Sequence, residues 1–100
     1  MGKVVYLPEA EEDLLGIWRY VFAESESLEV GDKLVDSIDD KCKSYSNQPE
    51  MGQLRSDLAS RVGCFPVGKY VVFYLPLDEG IEVIQVIHGA RDVPIHYRHP

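Results

Sequence analysis

The 100-residue sequence is poor in cysteine, tryptophan and positive charge: it has two Cys, one Trp, and ten Lys and Arg against 17 Asp and Glu, a formal net charge of −7. Each scarcity excludes something. Cys42 and Cys64 fall on different predicted elements and make no disulfide framework, so they read as small buried hydrophobes. No apolar run approaches the ~18 to 20 residues of a membrane span. The N-terminal stretch MGKVVYLPEAEED turns acidic within a few residues and has neither the apolar core nor the small-residue cleavage site of a signal peptide. A cytoplasmic protein away from membranes is expected. An acidic balance is the opposite of what gripping a phosphate backbone requires, so no direct sequence-specific nucleic-acid binding is expected. Phosphate loops, nucleophile elbows and metal-ligand signatures are missing too. His88, His96 and His99 have no fixed spacing to Cys64, so neither metal nor cofactor is expected.

One hundred residues suffice for a single domain, 1–100, built on one two-layer core. The charge is unevenly distributed. Residues 1–40 carry eleven acids against Lys3, Arg19 and Lys33, whereas the remaining sixty carry six acids and seven bases. Acids at that density, beginning with Glu9, Glu11, Glu12 and Asp13, read as solvated helical faces and as a helix start that complements the helix dipole.

The richest stretch runs from Cys64 to Asp92. Two β-branched and aromatic runs, Tyr70 to Leu75 and Ile81 to Ile87, flank Pro76-Leu77-Asp78-Glu79-Gly80, where Pro and Gly favour reversal of the chain. This predicts a β-hairpin at the centre of a sheet. Tyr70, Val72 and Tyr74 alternate with Val71, Phe73 and Leu75, and one layer of helices cannot bury both sets. A partner is expected to cover the remainder.

Upstream, Lys3 to Leu7 predicts a short strand, and Pro8 suits the first turn of a helix. Ala10, Leu14, Ile17, Trp18, Val21 and Phe22 recur at helical spacing, so an amphipathic helix is expected to about Ala23. Ser27 can cap a second helix, whose stripe is Val30, Leu34, Val35, Ile38, Cys42 and Tyr45. Gly31 in its first turn suggests close helix approach. Asn47-Gln48-Pro49 ends that helix, Pro49 to Gly52 is a loop, and Ser56 to Ser60 suits a single turn. The chain then enters the sheet through Arg61 to Phe65, with Pro66-Val67-Gly68 as a tight link. The fold class is α+β: an N-terminal strand, then a helical hairpin packed on an antiparallel sheet, in the order β-α-α-β-β-β.

Past the last strand the sequence turns polar at His88-Gly89-Ala90-Arg91-Asp92. Arg91 is a permanent cation placed between His88 and Tyr97, and it either binds a phosphate or carboxylate or pairs with Asp92 to anchor the tail.

Four blocks, taken in order, carry a resemblance: Pro8-Glu9-Ala10-Glu11-Glu12-Asp13-Leu14 with Ile17, Trp18 and Tyr20; Pro49-Glu50-Met51-Gly52; Val67 to Tyr74; and Val86 to Asp92. Together they resemble the RelE/ParE superfamily of toxins from type II toxin–antitoxin systems, the ParE branch most closely. Leu7 departs from the pattern, since many relatives have a serine there to cap the first helix. The resemblance implies a toxin held inactive in a hetero-oligomer with its cognate antitoxin. In the ParE branch the implied target is DNA gyrase. In the RelE branch it is messenger RNA on the ribosome, cut by groups that would here be Arg61, Lys69, Arg91, Tyr97 and His88. The basic strand positions of that branch appear as Val62, Cys64 and Val71, so the gyrase-binding, non-enzymatic reading ranks first and ribosome-dependent RNA cleavage second. A non-toxic relic serving as a binding module is a third reading, suggested by the acidity. The residues expected to meet the antitoxin are Trp18, Tyr70, Tyr74, His88 and Arg91.

Overall fold

The structure is a computed structural model and describes residues 2–55, 57 and 61–89. In chain order it has β1 (Lys3–Tyr6), α1 (Pro8–Ser25), α2 (Leu28–Asn47), a 3-10 turn (Pro49–Met51), β2 (Gln53–Leu54), β3 (Gly63–Val67), β4 (Tyr70–Leu77) and β5 (Gly80–His88). The expected β-α-α-β-β-β order is present, and the two-residue β2 is added at an edge. The strands lie in the order β1-β5-β4-β3-β2. From β2 to β5 the pairing is antiparallel, while β1 joins β5 in parallel, Lys3 opposite Gly80 and Tyr6 opposite Val83. A parallel pair cannot be closed by a tight turn. Here the helical hairpin and the other three strands lie between the two partners in sequence.

α1 begins without a side-chain cap at Leu7, with Pro8 in its first turn and Glu9 and Glu11 against the helix dipole. Its last turn is closed by Glu26, whose left-handed backbone (φ 55°) lets its N–H donate to the Phe22 carbonyl at 2.7 Å. Ser27 accepts from the Val30 N–H and starts α2, as the sequence predicts.

The β4–β5 connection is tighter than expected. Pro76 and Leu77 continue β4, opposite Ile81 and Gly80, and only Asp78-Glu79 turn. Likewise Pro66 and Val67 belong to β3, and Gly68-Lys69 form the link. Among the described residues, both prolines sit where their strand has lost its other neighbour, since β2 reaches β3 only at Gly63 and Cys64 and β3 reaches β4 only as far as Tyr74. A missing N–H costs nothing at such an edge. Gly80 is required by close approach, because a Cβ there would collide with the Lys3 carbonyl of the neighbouring strand.

The sheet is buried on both faces. On the helical side Val72, Tyr74, Ile81, Val83 and Phe65 pack with Ala10, Ile38 and Cys42, and Tyr45 of α2 stacks on Phe65 with ring centroids 3.9 Å apart. Alternating with these, Val62, Cys64, Phe73, Ile84 and Ile87 form a second cluster on the other face. Phe73 is 0% exposed and Ile84 2%. Of the second apolar set expected to need a partner's cover, Phe73 is buried within the chain itself, whereas Val71 and Leu75 are half-buried against this cluster. A bulge between Phe73 and Tyr74 adds one residue to β5, so that Val86 faces the same side as Val83 despite the odd spacing.

β1 is tied to α2 by one polar contact: the Tyr6 hydroxyl donates to an Asp39 carboxylate oxygen at 2.5 Å. Burial, then that hydrogen bond, holds the Tyr6 phenol protonated far above its ordinary range. Burial likewise pushes the Cys42 thiol up to about 11. Burial acts to raise Asp39 as well, but the Tyr6 hydroxyl and Lys43 outweigh it and its carboxyl lies below the usual value. Groups raised on folding contribute stability that is complete below their unfolded pKa and is lost as pH climbs towards the folded one. Unfolding free energy should thus fall as pH rises past about 9 to 10, the ordinary range for these groups. Tyr6→Phe should flatten that alkaline loss in urea titrations between pH 8 and 11. An unchanged slope would show that Tyr6 ionises as freely in the fold as out of it.

Candidate functional site

The strand ends predicted to carry function do converge with α1. Tyr70, the first residue of β4, lies opposite His88, the last of β5, and the two rings meet edge to face with centroids 5.3 Å apart. The Gly89 N–H donates to the Lys69 carbonyl at 2.6 Å and closes this end of the ladder. β1 stops opposite Val83, and among the described residues the element facing Gln85 to His88 on that side is α1. Between them lies a cleft of about 500 Å³, walled by Glu12, Asp13, Gly16, Ile17 and Tyr20 of α1 and by Tyr70 and the end of β5. Burial, and then the neighbouring Tyr20, raises the Tyr70 hydroxyl above its ordinary pKa. Tyr20 itself is 60% exposed.

Asp13 corrects the sequence reading. It belongs to the acids assigned to a solvated helix start, yet its Oδ2 accepts the backbone N–H of Val86 at 2.9 Å. A charged acceptor thus satisfies a strand donor that β1 is too short to reach. Its signal was in the sequence, because Asp13 stands three residues after buried Ala10 and four before Ile17, inside the apolar stripe. Tyr20, three residues after Ile17, was missed for the opposite reason: exposed tyrosines are ordinary on helices.

The remaining predicted residues do not all gather here. Arg61 precedes β3 at the Tyr74 end, and Lys69 follows it at the Tyr70 end. The whole of β3, roughly 13 Å of strand at ~3.3 Å per residue, separates them. Tyr74 is 1% exposed, and its hydroxyl donates to the Pro49 carbonyl at 2.5 Å. As a partner contact Tyr74 is therefore corrected to a core residue that holds the loop after α2. Trp18 lies on the helical hairpin, half-buried, stacked on Phe22 at 5.5 Å and donating from its indole N–H to Asp32 at 2.9 Å. Gly31 admits its ring, since a Cβ there would come within 2.9 Å of it, which bears out the expected close approach of the helices. Arg91 and Tyr97 lie outside the described residues, as does the turn expected at Ser56 to Ser60 apart from Asp57, which accepts from Arg55. Among the described residues no cluster of three or more His, Cys, Asp or Glu is placed to hold a metal ion. No described helix is long and apolar enough to cross a membrane.

Comparison with known proteins bears directly on this architecture. Residues 4–93 match the family model described as the ParE toxin of the type II toxin–antitoxin system parDE. The chain belongs to the ParE toxin family. A solved chain from the chromosomal ParDE toxin–antitoxin system of P. aeruginosa is similar in fold, with a TM-score of 0.71 at 16% identity, covering 88% of this chain and 96% of that one. No curated protein gives a significant match.

For this ParE-family chain the Asp13 contact has a measurable consequence. Asp13→Ala leaves the Val86 N–H without its acceptor and should lower unfolding free energy by about 1 to 3 kcal/mol. Glu12→Ala, one residue away on the exposed rim, should change it by less than about 0.5 kcal/mol. Urea denaturation of both variants checks this, and equal effects would show that the Asp13 contact carries no special weight.

Proposed function

We propose that this chain is the toxin half of a type II toxin–antitoxin pair, that it acts by binding and inhibiting DNA gyrase, and that a cognate antitoxin neutralises it. The observation that carries this reading is the match to the ParE toxin family across residues 4–93, with a fold to suit. Gyrase inhibition needs a binding surface and no catalytic groups, whereas RNA cleavage through a ribose 2′-hydroxyl needs cations gathered around one phosphate. Arg61 and Lys69 flank opposite ends of β3, and the cleft beside His88 is lined by Glu12 and Asp13. That arrangement favours binding over phosphate chemistry.

A partner surface is available on the helical hairpin. Leu15 and Phe22 flank Trp18 at helical spacing on α1 and are 47% and 39% exposed, while Leu28 and Val30 at the start of α2 are 56% and 46% exposed. Apolar side chains grouped in this way mark a surface that another protein covers. An amphipathic antitoxin segment that folds on binding would lay its apolar face there.

The purified protein should suppress supercoiling of relaxed plasmid by gyrase and leave ribosome-bound message intact, with activity restored by the antitoxin. Cleaved message with unaffected supercoiling would reverse the reading. Phe22→Ser combined with Leu28→Ser should weaken antitoxin binding on the order of tenfold or more, since both side chains are solvent-facing in the free chain. Calorimetry showing wild-type affinity would move the antitoxin elsewhere.

A further inference from the structure

The cleft between α1 and the end of β5 has a chemistry unlike that of the apolar hairpin surface. Its walls offer the exposed ring of Tyr20, the Tyr70–His88 pair and two carboxylates, and no Lys or Arg is among its described lining residues. Asp13 is held on Val86, but Glu12 stands at the exposed rim, and no cation pairs with it among the described residues. Aromatic faces next to an uncompensated carboxylate attract a cation, and most readily the flat guanidinium of arginine.

Gly16 adds an independent observation. It lies in the middle of α1, where glycine costs a helix about 1 kcal/mol relative to alanine. No close packing demands it, since a Cβ at Gly16 would meet nothing within 4 Å. Its backbone lies on the cleft wall, one turn after Glu12 and one before Tyr20, so the missing side chain leaves the space between those two open. A larger residue would fit the fold and fill the cleft. The space is thus kept at a cost to helix stability that nothing in the core explains.

We propose that this cleft is a recognition site for an arginine side chain presented by an extended segment of a partner protein, with the guanidinium held against the exposed ring of Tyr20 and paired with Glu12, above a floor formed by the buried Tyr70. The net charge of −7 favours a basic partner at long range, and the eleven acids of the first forty residues concentrate that attraction around α1. The inference does not depend on which protein is the toxin's target.

The test uses the full chain and two peptides, acetyl-Ala-Arg-Ala-amide and acetyl-Ala-Gln-Ala-amide, titrated while the aromatic NMR signals of Tyr20, Tyr70 and His88 are followed. The arginine peptide should shift these signals saturably, and the glutamine peptide should bind about five- to tenfold more weakly. Glu12→Gln should weaken the arginine peptide by a similar factor. Gly16→Leu should abolish its effect while keeping native signal dispersion and a melting temperature no lower than wild type. Equal shifts by both peptides, or binding that survives both substitutions, would overturn the assignment. Should Gly16→Leu fail to fold, Tyr20→Ala decides the same point, since that ring is solvent-facing.

Discussion

Much of the molecule's asymmetry comes from a mismatch in strand length. β5 has nine residues and β1 has four, so the parallel pair runs out at Tyr6 and Val83 with half of β5 still to go. An unpaired strand edge is a hazard, because its N–H and C=O groups invite pairing with another chain. Here α1 rises directly from the end of β1 and puts Asp13 on the Val86 N–H. The bulge in β5 adds a residue between Val83 and Val86, so these two share a face although three positions apart. Helix, bulge and short strand are therefore one device, and the cleft beside His88 is the space it leaves.

The rest of the packing follows from a sheet with two apolar faces. Long aliphatic and aromatic side chains on the helical side anchor the hairpin, most visibly where Tyr45 stacks on Phe65. The Tyr6 hydroxyl then fixes β1 to α2 through Asp39, a contact that works only while the phenol keeps its proton. With the interior settled in this way, the apolar side chains still in water are mostly on the outer hairpin and at the β2 edge, where Met51 and Leu54 are 50% and 63% exposed. Binding by a partner would draw on those surfaces, and the sheet interior contributes none.

Much of this was legible in the residues. Helical spacing from Ala10 to Phe22 and from Val30 to Tyr45 located both helices, and Ser27 marked their junction, because these signals are local. The parallel placement of β1 was not legible, since nothing in Lys3 to Tyr6 tells which strand it will join. Pro66 and Pro76 misled for a related reason: proline excludes a central strand, and only the ladder shows that both positions lie at an edge. At the site, Tyr70 and His88 were found as strand ends, whereas Tyr74 looked equivalent to Tyr70 and is core. Asp13 hid among neighbouring acids, although its place within the apolar stripe set it apart.

The account depends most on Asp13 closing the edge that β1 leaves open, and amide hydrogen exchange at Val86 tests this directly. In the wild-type chain that amide should be protected to the level of central β4 and β5 amides. In Asp13→Ala it should exchange at least about tenfold faster, by the loss of a charge-assisted hydrogen bond, while the amides of Val72 and Phe73 keep their protection relative to global unfolding. A Val86 amide that exchanges at the same rate in both proteins would contradict the account.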